Sequence, residues 1–390
     1  MSDRAARSNS SVLPYVPALD GLRAIAALAV IVEHVYQEVP LIRATIPGYF
    51  GVRLFFVLSG YLITGILLSG ADASCNWHGK AMFWKNFYVR RALRIFPAYY
   101  LCLIAAVVLA TKVNGLQGHH GWRFAYLTNF HMALHDTGDV YYGHLWTLAV
   151  EEQFYLFWPF VILLLPVRWR VAAALGLILA GPVSRLISAG IAPNEFWIRK
   201  PTWCCFDSLG FGALLACWRG LKKRECSSRL LPRLAILASV VLLAGGLYSR
   251  WRFGERAPEA AIFLGLAEGF LFFLLLRAST NESNALWKQF LAHRWLVAIG
   301  KVSYGLYLYH AFVMPAVSFI FRRINWDQKH GLGLHFYFVL VTTLSIGVAF
   351  LSWKFFEGPL NRLKSRFPYY TFTENNVAHS RQTHPAVYSA

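Results

Sequence analysis

The sequence predicts an all-α, polytopic transmembrane helical bundle of about ten spans, and three observations carry that expectation. Of 390 residues, 57% are hydrophobic and only 15% are Asp, Glu, Lys or Arg. Apolar runs close to the roughly 20 residues that a helix needs to cross a bilayer recur along the whole chain. The mean hydropathy is +0.43, and the basic residues gather in short loops between the apolar runs. The net charge of +19 therefore reads as membrane topology and contact with anionic lipid, not as a nucleic-acid surface.

Residues 1–13 form a polar tail that leads directly into a helix carrying Asp20, Arg23, Glu33 and His34, which is no secretory signal peptide. The spans follow as Ala18–Tyr36, Tyr49–Leu68, Phe96–Thr111, Leu145–Leu165 and Val171–Ala189. The second five are Trp203–Trp218, Leu234–Tyr248, Ala260–Leu276, Leu306–Phe321 and His335–Phe355. The third, sixth, seventh and ninth are short for a hydrocarbon core of about 30 Å. Re-entrant segments and longer helices are both open for these four, and counts of eight or eleven stay open with them. With the N-terminus in the cytoplasm, 23 Lys and Arg fall on the cytoplasmic side against 11 outside, so both termini are expected inside the cell. Residues 14–365 make one integral-membrane domain, and residues 366–390 a polar tail expected to be poorly ordered. No internal repeat is visible, which weighs against a transporter built from inverted repeats.

Arg23 and His34 stand eleven residues apart in the first span. At 100° per residue that is three turns plus about 20°, so both share one face, roughly 16 Å apart along the axis. Each ionisable group inside a spanning helix costs at least about 2.5–3.5 kcal/mol on insertion scales, which makes the pair a candidate site. A snorkelling arginine and a hydrogen-bonded histidine are the structural alternative. In the fourth span Glu151 and Tyr155 stack four apart, while Glu152 points about 100° away toward another neighbour. Arg91 and Arg94, three apart just before the third span, form a fork suited to phosphate, or an ordinary cluster on lipid headgroups. Tyr304, Tyr307 and His310 open the ninth span at three-residue spacing, and Glu357 is expected at the interface. Ser59 and Gly60 read as small residues for close helix packing; no base lies beside Ser59 by local spacing. The loop holding His119, His120, His131, His135, Asp136, Asp139 and His144 has no compact ligand motif. His131 and His135 could share a metal on a helix, but no metal is expected. The cysteines form no C-x-x-C pair and read as small hydrophobes.

These segments, taken in order, resemble the acyltransferase-3 family of integral-membrane O-acyltransferases. The matching stretches are Leu19-Asp-Gly-Leu-Arg-Ala-Ile-Ala with His34, Phe55-Phe-Val-Leu-Ser-Gly, and Arg91-x-x-Arg94. Glu151-x-x-x-Tyr155, Ser303-Tyr-Gly-Leu-Tyr-Leu-Tyr-His310 and Phe356-Glu-Gly-Pro359 complete the set. The resemblance implies transfer of an acyl group, commonly acetyl, from acyl-CoA on the cytoplasmic side of a bacterial inner membrane. The acceptor it implies is a sugar hydroxyl of a surface polysaccharide, lipid-linked glycan or related glycoconjugate. From this constellation His34 is the expected general base oriented by Glu151, with Tyr155 a hydrogen-bond donor, while His310 reads equally as a satisfied structural histidine or a catalytic one. Arg23 would stabilise developing charge or the donor, and Arg91 and Arg94 would hold the coenzyme A phosphates. Two departures from the resemblance stand out: Arg53 where many relatives are acidic, and no appended extracytoplasmic domain, so this bundle or a separate extracytoplasmic partner is expected to complete acyl delivery. A transporter or flippase of a glycan intermediate is the alternative reading.

Overall fold

The computed structural model describes residues 15–39, 49–73, 77–109, 120–136, 138, 142–192, 194–221, 230–254, 257–281 and 285–369, and every regular element among them is helical. The long helices are α1 (Pro17–Tyr36), α2 (Phe50–Ala73), α3 (Trp77–Leu109), α4 (Leu145–Leu164), α5 (Val167–Ile191), α6 (Phe206–Leu221), α7 (Leu230–Phe253), α8 (Pro258–Thr280), α9 (Ser303–Arg323) and α10 (Gly331–Ser352). Eight of the described helices are long and apolar enough to cross a membrane. The first and sixth expected spans are not among them. In α1 the 20 residues include Asp20, Arg23 and Glu33, and α6 has only 16 residues. Both are enclosed by neighbours, so protein takes the place of lipid around their polar groups.

The third span differs most from its expected bounds. Helix α3 begins at Trp77 and runs for 33 residues, about 50 Å at 1.5 Å per residue. Arg91 and Arg94 therefore sit within one continuous helix, not ahead of it. Hydropathy alone ended the span at Phe96 because three arginines interrupt the apolar run.

Close backbone contacts set the bundle's centre. A Cβ on Gly60 of α2 would lie 2.0 Å from the Leu209 carbonyl oxygen of α6, and one on Gly212 of α6 would lie 1.9 Å from that of Val57. Such small residues let helices approach where lipid provides no hydrophobic drive. Helix α1 is held the same way, with Gly21 against Leu291 and Gly300 against Asp20. Around this centre α7 turns Leu234, Leu237, Val240 and Val241 outward as an exposed apolar face.

Arg53 is explained by its partners. Its Nε lies 2.8 Å from Glu268 of α8 and its NH1 3.8 Å from Asp207 of α6, which Arg185 of α5 also binds at 2.7 Å. Four helices thus share one buried ion network. Glu357 is buried rather than interfacial and accepts a 2.8 Å bond from Ser352. Past α10, Arg90 donates to the carbonyls of Lys364 and Phe367 and Asn86 to that of Pro368, which docks the chain on α3. Residues 370–390 of the expected tail, and the N-terminal tail through residue 14, lie outside the described residues.

Candidate active site

Five helices converge on a cavity of about 90 Å³. Arg23 comes from α1, Ser59 from α2, Arg91 and Arg94 from α3, Glu151, Glu152 and Tyr155 from α4, and Tyr304 and Tyr307 from α9. The four-residue spacing on α4 does bring Glu151 and Tyr155 together: the Tyr155 hydroxyl lies 2.9 Å from Glu151 Oε2. That hydroxyl also reaches Ser59 Oγ at 3.0 Å, and Ser59 donates to Glu151 Oε1 at 2.8 Å. Neutral hydroxyl donors therefore satisfy the Glu151 carboxylate. Arg91 lies over the Tyr155 ring, 5.2 Å from its centroid. Among the described residues, the guanidinium groups of Arg23, Arg91 and Arg94 make no hydrogen bond or ion pair, so three unpaired cations face a cavity that Glu151 and Glu152 also line. Glu152 takes the separate direction expected of it, with Oε1 buried and unbonded. Together with Arg91 and Tyr155 it also lines a second, open cavity of about 470 Å³, beside the exposed side chains of Phe96 and Leu156.

The histidines form a second centre. Thr147 and Tyr307 line the cavity, their hydroxyl oxygens meet at 2.6 Å, and both reach the His144 carbonyl. The Tyr307 ring then contacts the His310 ring at 5.6 Å between centroids. His310 packs between His34 at 5.1 Å and His144 at 5.3 Å. Backbone carbonyls fix the tautomers, because a carbonyl only accepts. His34 Nδ1 lies 3.0 Å from Val30 O, His310 Nδ1 2.6 Å from Tyr307 O, and His144 Nε2 3.1 Å from Leu308 O. In the neutral rings those nitrogens carry hydrogen. The lone pairs are then on Nε2 of His34, Nε2 of His310 and Nδ1 of His144. His34 is partly exposed, whereas His310 is fully buried.

Glu151 therefore bonds Ser59 and Tyr155, and His310 takes the place beside His34 that sequence reasoning gave to Glu151. Arg23 and His34 belong to the two different centres. Glu33 points elsewhere, accepting the Tyr49 N–H at 3.0 Å on both oxygens and holding Tyr49 at φ +102°. Near it Lys200 is buried over the Trp146 and Tyr49 rings, 4.1 and 4.7 Å from their centroids. Burial lowers its amine to about 7, with Glu195 and Glu33 opposing the shift. Sequence reasoning gave Lys200 no role and read His144 only as a loop residue. Their partners lie far away in sequence, and no local spacing points to them. The His131 and His135 rings lie 4.8 Å apart, but no group of three or more His, Cys, Asp or Glu side chains among the described residues is placed to hold a metal ion. His119 and Asp139 lie outside them.

A helical bundle of membrane-length segments, with unpaired guanidinium groups lining a cavity beside an imidazole cluster, defines an integral-membrane protein with a cationic site inside it. Comparison gives the particular family. The chain belongs to the acyltransferase-3 family, whose model, described as an acyltransferase domain, matches residues 16–354. It is 28% identical over 376 residues to the peptidoglycan O-acetyltransferase OatA of Listeria monocytogenes, covering 89% of this chain and 56% of that protein. It is 29% identical over 380 residues to the Bacillus subtilis protein YrhL, provisionally named a peptidoglycan O-acetyltransferase, covering 89% and 55%. The chain thus spans just over half the length of these curated relatives. No solved structure matches it at a significant level.

Proposed function

We propose that this chain is a membrane O-acyltransferase that moves an acetyl group from acetyl-CoA to a sugar hydroxyl of a cell-surface glycan. The observation that carries the reading is the trio of unpaired guanidinium groups in one cavity. A diphosphate with its neighbouring phosphate matches them in charge and in bidentate geometry. Arg91, Arg94 and Arg23 hold the donor's phosphates, and the pantetheine arm runs past Thr147 and Tyr307 toward His34. The two centres differ by three turns of α1, so the donor binds end-on along that helix. The glycan acceptor is supported by the peptidoglycan O-acetyltransferase names of the relatives OatA and YrhL.

At the reacting end, Nε2 of His34 takes the proton of the acceptor hydroxyl as its oxygen attacks the thioester carbon. The C–S bond then breaks and the thiolate recovers the proton, giving the sugar ester and free thiol. Positioned general bases of this kind contribute typically about 10²–10⁴-fold. In this reading the protein lies in the bacterial inner membrane with both termini cytoplasmic and the donor entering from the cytoplasm.

The test supplies purified protein in lipid nanodiscs with labelled acetyl-CoA and a glycan acceptor. Wild type transfers label and His34→Ala does not. Transfer at the wild-type rate by His34→Ala would refute the base assignment, and acceptor transport without acetyl-CoA turnover would refute the enzyme reading.

A further inference from the structure

Resting on His34 as the base, we propose that His310 is its proton-accepting partner. As Nε2 of His34 takes the acceptor's proton, the Nδ1 proton of His34 moves to Nε2 of His310, and the positive charge leaves the reacting ring.

Four observations lead there. Nε2 of His310 lies 3.3 Å from Nδ1 of His34. The Tyr307 carbonyl, 2.6 Å from His310 Nδ1, fixes the hydrogen on that nitrogen and leaves Nε2 with its lone pair directed at His34. The Nδ1 hydrogen of His34 is thus shared between two acceptors, Val30 O at 3.0 Å and His310 Nε2. Only the second can keep the proton. Finally, His34 is reachable while His310 is wholly enclosed, so one ring meets substrate and the other stands behind it.

An imidazolium at His310 is opposed by its full burial and is favoured by two contacts in its pocket. A charged donor strengthens the short bond to the Tyr307 carbonyl. His144, 5% exposed, presents a buried Nδ1 lone pair with no hydrogen-bond partner among the described residues. The other ionisable groups near the rings are Tyr307 on α9, Lys200, and Glu33, whose carboxylate is bonded to the Tyr49 N–H. The step balances. In the forward half the new C–O bond forms, His34 ends neutral with hydrogen on Nε2, and His310 carries both N–H groups. As the C–S bond breaks, the thiolate takes the Nε2 proton of His34, and His310 returns its own to Nδ1.

Single-turnover rates in H₂O–D₂O mixtures test the transfer directly. Two protons moving together give a curved dependence on deuterium fraction in the wild type. His310→Gln keeps an oxygen to accept from His34 but holds no proton. It should give a linear dependence and a rate about 10- to 100-fold lower, with donor and acceptor KM unchanged. Histidine ¹⁵N spectra of the resting wild type should show hydrogen on Nδ1 of both His34 and His310. A linear wild-type dependence, a wild-type rate in His310→Gln, or hydrogen on Nε2 of resting His34 would each overturn the proposal. The two wild-type measurements decide the matter if the variant does not fold. An inactive His34→Ala with a linear wild-type dependence removes only the relay, whereas an active His34→Ala removes the base reading itself.

Discussion

Removing Arg94 should weaken the donor far more than the acceptor, and the size of the loss can be worked from the cavity. A hydrogen bond to a charged group contributes about 1.5–3 kcal/mol. At about 1.4 kcal/mol per factor of ten, Arg94→Ala alone should weaken acetyl-CoA binding roughly 10- to 100-fold. Arg91→Ala should cost a similar amount. The double variant should lose less than the product, because Arg23 lines the same cavity and the three guanidinium groups share one anion. Arg94→Lys should fall between, since it keeps the charge and loses the planar fork. The assay is equilibrium binding of a non-reactive thioether analogue of acetyl-CoA to protein in nanodiscs, which avoids equating KM with affinity. The control ligand is the acetyl-pantetheine analogue, which lacks the nucleotide phosphates. Equal losses for both ligands, or no loss for either, would refute phosphate binding by these arginines and leave a cluster facing lipid.

Three further outcomes follow from the packing and the charges. Gly212→Val drives a side chain into the Val57 carbonyl of α2, where even a Cβ would stand 1.9 Å away. Overpacking of this kind costs about 1–3 kcal/mol or more, read as a lower melting temperature in detergent. Arg53→Met strips Glu268 of its counter-ion while Arg185 still pairs with Asp207, so a loss of about 3–5 kcal/mol is expected. Adding Glu268→Met should recover part of it; no recovery would mean the network is not what Arg53 supports. Lys200 gives a pH signature. Its folded-state amine titrates near 7, while the unfolded chain holds that proton up to the ordinary lysine range, so between the two the unfolded state binds more protons. Stability should be flat below about 7 and rise above it by up to about 1.4 kcal/mol per pH unit, and Lys200→Met should abolish that rise.

Sequence reasoning reached furthest where one helix carries both partners. The Glu151–Tyr155 pair was readable from i,i+4 geometry because a single helix fixes it. The shared face of Arg23 and His34 was readable for the same reason, yet their assignment to two centres was not, since that depends on which helices pack at each level. Partners contributed by different helices stayed hidden. Ser59 reaches Glu151 across 92 positions, and His310 reaches His34 across 276. Hydropathy marked apolar length well and misjudged α3, because arginines that point into a cavity look in sequence like the end of a span. Composition also gave no sign that α1 and α6 are enclosed by other helices, since that depends on which segments pack around them.

The hydroxyl bonds on Glu151 answer a problem that the cavity otherwise poses, since a carboxylate among three guanidinium groups should pair with one and close the site to an anion. Ser59 and Tyr155 prevent this by satisfying both oxygens with neutral donors. Removing those donors should therefore weaken the acetyl-CoA analogue although every cation remains. Ser59→Ala with Tyr155→Phe keeps the ring beneath Arg91 and frees the carboxylate to seek a guanidinium. A buried acceptor left unbonded costs about 1–3 kcal/mol, which a new ion pair would relieve. The donor must then break that pair, and affinity should fall by roughly tenfold or more. Adding Glu151→Gln removes the competing charge and should restore binding toward the wild-type value. If the triple variant binds no better than the double, the hydroxyls act by shaping the cavity and the charge-shielding account is wrong.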